Sequence, residues 1–264
     1  MNWEPITSRE NKLLRHISRL ISDTKYRRAN GEYVCEGEKL LREALRDGVV
    51  VRAVLWEQQS LREAQLRDPE LFAMLDLQNC RYVTAPANVF GAVSVLETFS
   101  GPLFVCSMKE RTFSKNGRNF IVLDRLQDPG NVGTVIRTAD AFSVDGVWLL
   151  EGTADPYQPK AVRAAMGSIF RVPVYRASAD EFFEKMRAFG IAVYAAALTE
   201  DAENIRAVRL DRCAVIIGNE GRGVRPECMK RCDRHIILPM TGRAESLNAA
   251  VAAAIVMWEM SGCR

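Results

Sequence analysis

From residue 120 onward the chain repeats a pattern that few folds accommodate: short apolar runs, each followed by a stretch with helical spacing. The runs fall at residues 120–124, 147–150, 172–175, 191–196, 214–217 and 235–238, with helical stretches at 132–142, 159–166, 179–189, 225–231 and 247–260. A strand apolar on both faces needs cover on both, which is the condition inside a parallel sheet flanked by helices. The pattern predicts a doubly wound α/β domain. Residues 247–260 are apolar around the whole helical circumference, so they need cover in the core or in a subunit interface.

The first half alternates less regularly. An amphipathic helix over residues 8–22 gathers Leu13, Leu14, Ile17, Leu20 and Ile21; extended pieces are expected at 33–36, 50–55, 81–83 and 103–107, with helices at 38–46 and 60–66. This reads as a small layered α/β domain. Residues 109–118 are polar enough for a linker, so the 264 residues divide into domains 1–110 and 111–264, each long enough to bury a core. Near the start, seven basic residues (Arg9, Lys12, Arg15, Arg19, Lys25, Arg27 and Arg28) face only Glu10 and Asp23. By itself such an excess fits a solvated helix face.

Overall charge decides little: 36 Lys and Arg against 33 Asp and Glu leave a net +3. Composition, at 48% hydrophobic and 26% charged, excludes a disordered or collagen-like chain. The opening Met1-Asn2-Trp3-Glu4-Pro5 lacks a signal-peptide pattern, and the longest apolar run, residues 249–258, is ten residues where a membrane span needs about 20. A cytoplasmic protein without membrane contact is expected. Seven widely spread cysteines, at 35, 80, 106, 213, 228, 232 and 263, suit free thiols in a reducing compartment. Cys213, Cys228, Cys232 and His235 fit no common zinc spacing, so no metal is expected.

Ligands of open α/β sheets bind at the carboxyl ends of the strands, and three loops there have unusual composition. In the first, Asp124 leads through Asp128-Pro129-Gly130-Asn131 into a helix carrying Arg137-Thr138-Ala139; Asn131 is a candidate cap, and Arg137 can grip a phosphate or ribose or form an ion pair. The second is Gly218-Asn219-Glu220-Gly221-Arg222-Gly223, whose glycines allow close backbone approach. Its order is wrong for a dinucleotide fingerprint, and no phosphate-binding G-x-x-x-x-G-K-[ST] loop occurs. In the third, Leu238-Pro239-Met240 leads to Ser246-Leu247-Asn248, with Ser246 a candidate cap of the apolar helix.

Together these segments resemble, in order and spacing, the three motifs of the SpoU/TrmH branch of the SPOUT methyltransferases, over essentially all of residues 120–260. The resemblance implies methylation of RNA ribose 2′-hydroxyls with S-adenosylmethionine, a deep trefoil knot around a mostly parallel sheet, and a homodimer packed partly through the last helix. It places Gly218, Leu238 and Leu247 against the cofactor, largely through backbone groups. The first half is similar to the family's N-terminal substrate-binding domain, itself similar to ribosomal proteins, on its basic helix and on Tyr33-Val34-Cys35-Glu36-Gly37-Glu38-Lys39-Leu40. In that context Arg15, Arg19, Lys25, Arg27 and Arg28 are expected to contact RNA. One departure is Ser143, where many relatives place Gly after the first helix.

The family assigns activation of the ribose oxygen to the arginine at position 137. A guanidinium offers donors and no acceptor, so Arg137 is expected mainly to fix a phosphate and stabilise developing alkoxide charge; deprotonation by Arg137 is the rival reading. Glu220 is expected to orient Arg137 or carry the proton, unless it pairs with Arg222 or Arg225, and Ser246 and Asn248 to order the ribose. With Asn131 these form the candidate catalytic set. Large-subunit ribosomal RNA is the expected substrate; the alternatives are transfer RNA, methylation of a base, and a non-catalytic RNA-binding protein on the same scaffold.

Overall fold

A computed structural model describes residues 1–96, 101–109, 111–113 and 116–262. Cys263 and residues 110, 114 and 115 of the expected linker lie outside these. The chain divides into two compact units, Met1–Glu110 with Tyr157–Phe170, and Arg111–Pro156 with Arg171–Arg264. A single cut after residue 110 therefore leaves out residues 157–170. Their place follows from packing: the Tyr157 ring lies 4.8 Å from that of Tyr33, and the helix Pro159–Ala165 lies against the strand Glu32–Glu36.

In chain order the first unit contains β1 (Glu4–Pro5), α1 (Lys12–Ser22), α2 (Thr24–Asn30), β2 (Glu32–Glu36), α3 (Glu38–Arg46), β3 (Val51–Glu57), α4 (Gln58–Arg67), α5 (Pro69–Asp76), β4 (Arg81–Ala85), α6 (Ala87–Phe90) and β5 (Leu103–Ser107). Its sheet has the order β1-β4-β3-β5-β2; β4 runs parallel to β1 and β3, while β5 runs antiparallel to β2 and β3. Leu14, Ile17 and Leu20 of α1 share a core with Val34, Leu55, Val83 and Leu103. That helix starts later than the expected residue 8 because the Asn11 side chain accepts the Leu13 N–H and fixes its start.

The chain continues through β6 (Phe120–Leu123), α7 (Pro129–Ala141), β7 (Gly146–Leu150), α8 (Pro159–Ala165, in the first unit), β8 (Val174–Ala177), α9 (Ala179–Phe189), β9 (Ala192–Ala196), β10 (Glu203–Asn204), β11 (Cys213–Ile217), α10 (Pro226–Met229), β12 (Arg234–Ile237) and α11 (Ala249–Ser261). The second sheet, ordered β10-β12-β9-β11-β6-β7-β8, is parallel at every pairing. One face buries Phe120, Trp148 and Ile216 with Phe182 and Met186 of α9. On the opposite side α7 and α11 pack on each other, and α11 on β11. All the strands point the same way, so the loops after β6, β11 and β12 collect at one edge of the sheet.

Two expected caps fall elsewhere. The α7 cap is Asp128, whose carboxylate accepts the Gly130 N–H at 2.7 Å, because Pro129 at the first helical position fixes the entry. The cap of α11 is Asn248, accepting from Ala250 and Val251, and not Ser246. At its other end α7 closes through Ser143, held at φ 53°, while the Val144 N–H reaches the Ala139 carbonyl at 2.9 Å. A left-handed residue at this position is ordinarily glycine. Ser143→Gly is expected to stabilise the second unit by about 0.5–1 kcal/mol, the left-handed penalty less glycine's entropic cost, read as a higher urea midpoint with unchanged slope.

Candidate active site

The glycine loop after β11 is fastened to the end of β6 by a buried ion pair. Arg225 donates from Nε to Asp124 Oδ1 at 2.7 Å and from its backbone N–H to Oδ2 at 2.8 Å; a third bond runs from Nη1 to Glu151 at 3.1 Å. Asp124 is fully buried, and burial opposes the charge on Arg225, but the Glu151 hydrogen bond and the Asp124 charge outweigh it and raise its pKa. Leaving either partner of such a pair alone costs about 3–5 kcal/mol. Sequence reasoning considered Arg225 only as a partner for Glu220; a polar residue ending an apolar strand at Asp124 was the available signal.

Within the loop, Asn219 and Gly223 exchange backbone bonds of 2.9 and 3.0 Å, and the Asn219 side chain accepts from Gly221 and Arg222. This fold presses residue 218 onto the returning chain at residues 223 and 224. A Cβ there would lie 2.1 Å from the Gly223 carbonyl carbon and 2.2 Å from the Val224 nitrogen, so glycine is required for the approach itself. The loop forms one wall of a cavity of about 830 Å³ that gathers Gly218, Leu238 and Leu247 with Glu220 and Ser246. Its size, apolar walls and exposed loop backbone suit a nucleoside-sized ligand whose flat base lies against apolar side chains while its polar atoms meet backbone groups, and the adenosine part of S-adenosylmethionine fits that description.

The candidate catalytic residues meet in part. Asn131 donates from Nδ2 to Glu220 Oε1 at 3.0 Å and accepts from Asn248 Nδ2 at 3.2 Å, linking α7, the glycine loop and the start of α11. Glu220 Oε2 accepts from Asn219. Glu220 thus pairs with none of Arg137, Arg222 and Arg225: two side-chain amides occupy its oxygens, and Arg225 is committed to Asp124. Arg137 is exposed on α7 and makes no ion pair or side-chain hydrogen bond among the described residues. Ser246 is exposed at the cavity mouth.

Of the basic cluster, Arg15, Arg19, Lys25 and Arg28 are exposed, and the Arg19 guanidinium lies 3.8 Å over the Tyr26 ring. Arg27 is different: it is 2% exposed and donates to the carbonyls of Leu20 and Ile21 and to Thr24 Oγ1. Those carbonyls end α1 and have no helical partner, so Arg27 is committed to closing that helix and is withdrawn from contact with RNA. Among the described residues no group of three or more acidic, cysteine or histidine side chains can hold a metal. Burial pushes the thiols of Cys213 and Cys232 up to about 12 and that of Cys228 to about 11. His235 faces Asp201 at 2.7 Å and the Met229 carbonyl.

A parallel sheet with a glycine-loop cavity at its carboxyl edge, joined to an Asn–Glu–Asn chain, defines the class. Residues 118–258 match the SpoU rRNA Methylase family, and the chain belongs to that family. It is 34% identical over 238 residues to the Bacillus subtilis 23S rRNA (guanosine(2553)-2'-O)-methyltransferase RlmP, covering 90% of this chain and 92% of the relative. Identity to the 23S rRNA (uridine(2479)-2'-O)-methyltransferase of Streptomyces viridochromogenes is 29%, covering 96% and 90%. Among solved structures, an AdoMet-bound rRNA methyltransferase from Sinorhizobium meliloti superposes with a TM-score of 0.86 at 27% identity over 97% of each chain.

The two kinds of arginine in the basic cluster separate by experiment. Arg27→Ala is expected to lower the stability of the first unit by about 2–4 kcal/mol, since it strands buried carbonyls that a charged donor now satisfies, whereas Arg28→Ala leaves stability within about 0.5 kcal/mol. Chemical denaturation of both variants reads the difference.

Proposed function

We propose that the protein is an S-adenosylmethionine-dependent methyltransferase acting on a ribose 2′-hydroxyl of large-subunit ribosomal RNA. One observation carries the reading: the cavity that gathers Gly218, Leu238 and Leu247 has Glu220 in its wall, and Glu220 is chained to Asn131 and Asn248. The cofactor supplies a methyl group on a positively charged sulfur. Backbone groups of the glycine loop, with Leu238 and Leu247, hold it and keep water away. Arg137, with no ion pair or side-chain hydrogen bond among the described residues, is available to grip the phosphate beside the target ribose and to stabilise the oxygen as its proton passes to solvent. Glu220 fixes the amide of Asn131, and Asn248 with Ser246 orders the ribose.

The same reading places a trefoil knot at this edge, formed as the chain after β12 threads past the glycine loop. Its support is that residues 245–247 and 249 share the cavity with residues 218–224, while α11 packs on both β11 and α7. The first unit serves as the RNA-binding domain through Arg15, Arg19, Lys25 and Arg28. A homodimer covers the apolar stripe of α11: Val251, Ile255 and Trp258 are 48%, 37% and 47% exposed and line a groove with Phe142, Asn131 and Asn248. The six cysteines among the described residues are free thiols, which suits a reducing compartment such as the cytoplasm, and among the described residues no helix is long and apolar enough to cross a membrane.

Labelled methyl transfer from S-adenosylmethionine to ribosomal and transfer RNA, followed by nuclease digestion and nucleoside mass analysis, tests the activity. The expected product is a 2′-O-methylated nucleoside from the large subunit; a methylated base, or no product, overturns the reading. Arg137→Lys keeps the charge but loses the fork, and is expected to reduce turnover by about 10²-fold with cofactor affinity unchanged. For the assembly, light scattering is expected to give a dimer for the parent chain and a monomer for Ile255→Arg, since a buried unpaired guanidinium opposes association.

A further inference from the structure

Four residues other than glycine hold a positive φ among those described: Arg125, Ser143, Met166 and Arg212. Three have a structural account. Ser143 and Met166 close α7 and α8, and Arg212 caps the carbonyls of Phe189 and Gly190 with its guanidinium. Arg125, at φ 60°, closes no helix, and its guanidinium makes no ion pair or hydrogen bond among the described residues.

Its backbone is nevertheless held from three sides. The N–H donates to Thr153 Oγ1 at 3.0 Å, and the carbonyl accepts from Asn219 Nδ2 at 2.9 Å and Gln127 Nε2 at 3.0 Å. The aliphatic stem lies across Gly152, where a Cβ would approach Arg125 Cγ to 3.2 Å. The carboxylates beside it in sequence and across the loop are engaged: both oxygens of Asp124 bind Arg225, and Glu151 accepts from Arg225 Nη1. A left-handed conformation is costly for any L side chain and free for glycine. A strained residue locked by its surroundings at the carboxyl edge of the sheet, presenting an unpaired cation, marks a contact with something outside the chain.

We propose that Arg125 is a substrate-binding residue that grips a backbone phosphate of the RNA strand flanking the target nucleotide. The proposal rests on the RNA methyltransferase reading. A half-buried guanidinium with fixed stem suits a phosphate, which two parallel N–H groups can hold, and its backbone bond to Asn219 places it one residue from Glu220.

The test is Arg125→Gly, with Arg125→Lys as a charge control. Arg125→Gly relieves the strain, so its thermal midpoint rises by about 2–4 °C while affinity for S-adenosylmethionine by calorimetry is unchanged. Its KM for transcribed 23S rRNA rises about tenfold with kcat within about twofold, matching one lost phosphate contact. The slope of log affinity for the same transcript against log salt, measured by fluorescence anisotropy, falls by about 0.7–0.9, and Arg125→Lys restores it. Unchanged RNA affinity and salt slope in Arg125→Gly overturn the proposal, as does loss of S-adenosylmethionine affinity, which makes the residue a support of the loops. If the parent chain binds the transcript but methylates no ribose, the methyltransferase reading fails, and the anisotropy series still decides Arg125.

Discussion

The buried pair of Asp124 and Arg225 is the interaction on which the active-site edge depends. Two strands that are neighbours in the sheet end there, and the pair adds a buried charged link to the side-chain amide bonds that Asn219 and Asn131 make between the glycine loop after β11 and the segment after β6. Asp124 receives both the guanidinium and the backbone N–H of Arg225, so the pair fixes the chain direction after the loop as well as its position. A burial of this kind gains little net stability, because desolvation offsets most of the attraction. What it supplies is a single register for residues 218–224, in which residue 218 has no room for a side chain.

Much of the fold was legible because parallel strands buried on both faces leave an unambiguous apolar signature, and all six runs in the second half fall on strands. Three features were not. The two-residue β10 pairs with β12 through backbone alone, so it has no pattern to read. Residues 157–170 look like any crossover helix, and the Tyr33–Tyr157 contact and the packing on β2 reveal which unit they join. The helix caps also went astray: Asp128, Asn131, Ser246 and Asn248 all have capping side chains, and sequence spacing does not say which is free to cap. Asn131 is not, since its side chain is taken by Glu220 and Asn248.

The site was legible as a set of residues and illegible as a set of partners. Composition marks Arg27 and Arg28 alike, yet one closes α1 while the other is exposed; the difference is which side of α2 meets the end of α1. Glu220 drew attention as a partner for an arginine because opposite charges attract over any spacing a loop can bridge. In the fold the amides of Asn131 and Asn219 reach it instead, which makes the carboxylate a positioning element for the motif-one asparagine.

A similar allocation keeps a cation available on α7. Asp140 stands one turn beyond Arg137 on α7, at a spacing where the two side chains could meet, but Arg171 engages it through Nε and Nη2 at 3.0 and 2.7 Å. Asp140 already has a donor, so pairing it with Arg137 would require breaking an existing bond. A guanidinium without an ion pair among the described residues, on a rigid helix, loses little entropy or internal bonding when an external anion arrives, and without the hold of Arg171 on Asp140 that carboxylate would be the one placed to quench it.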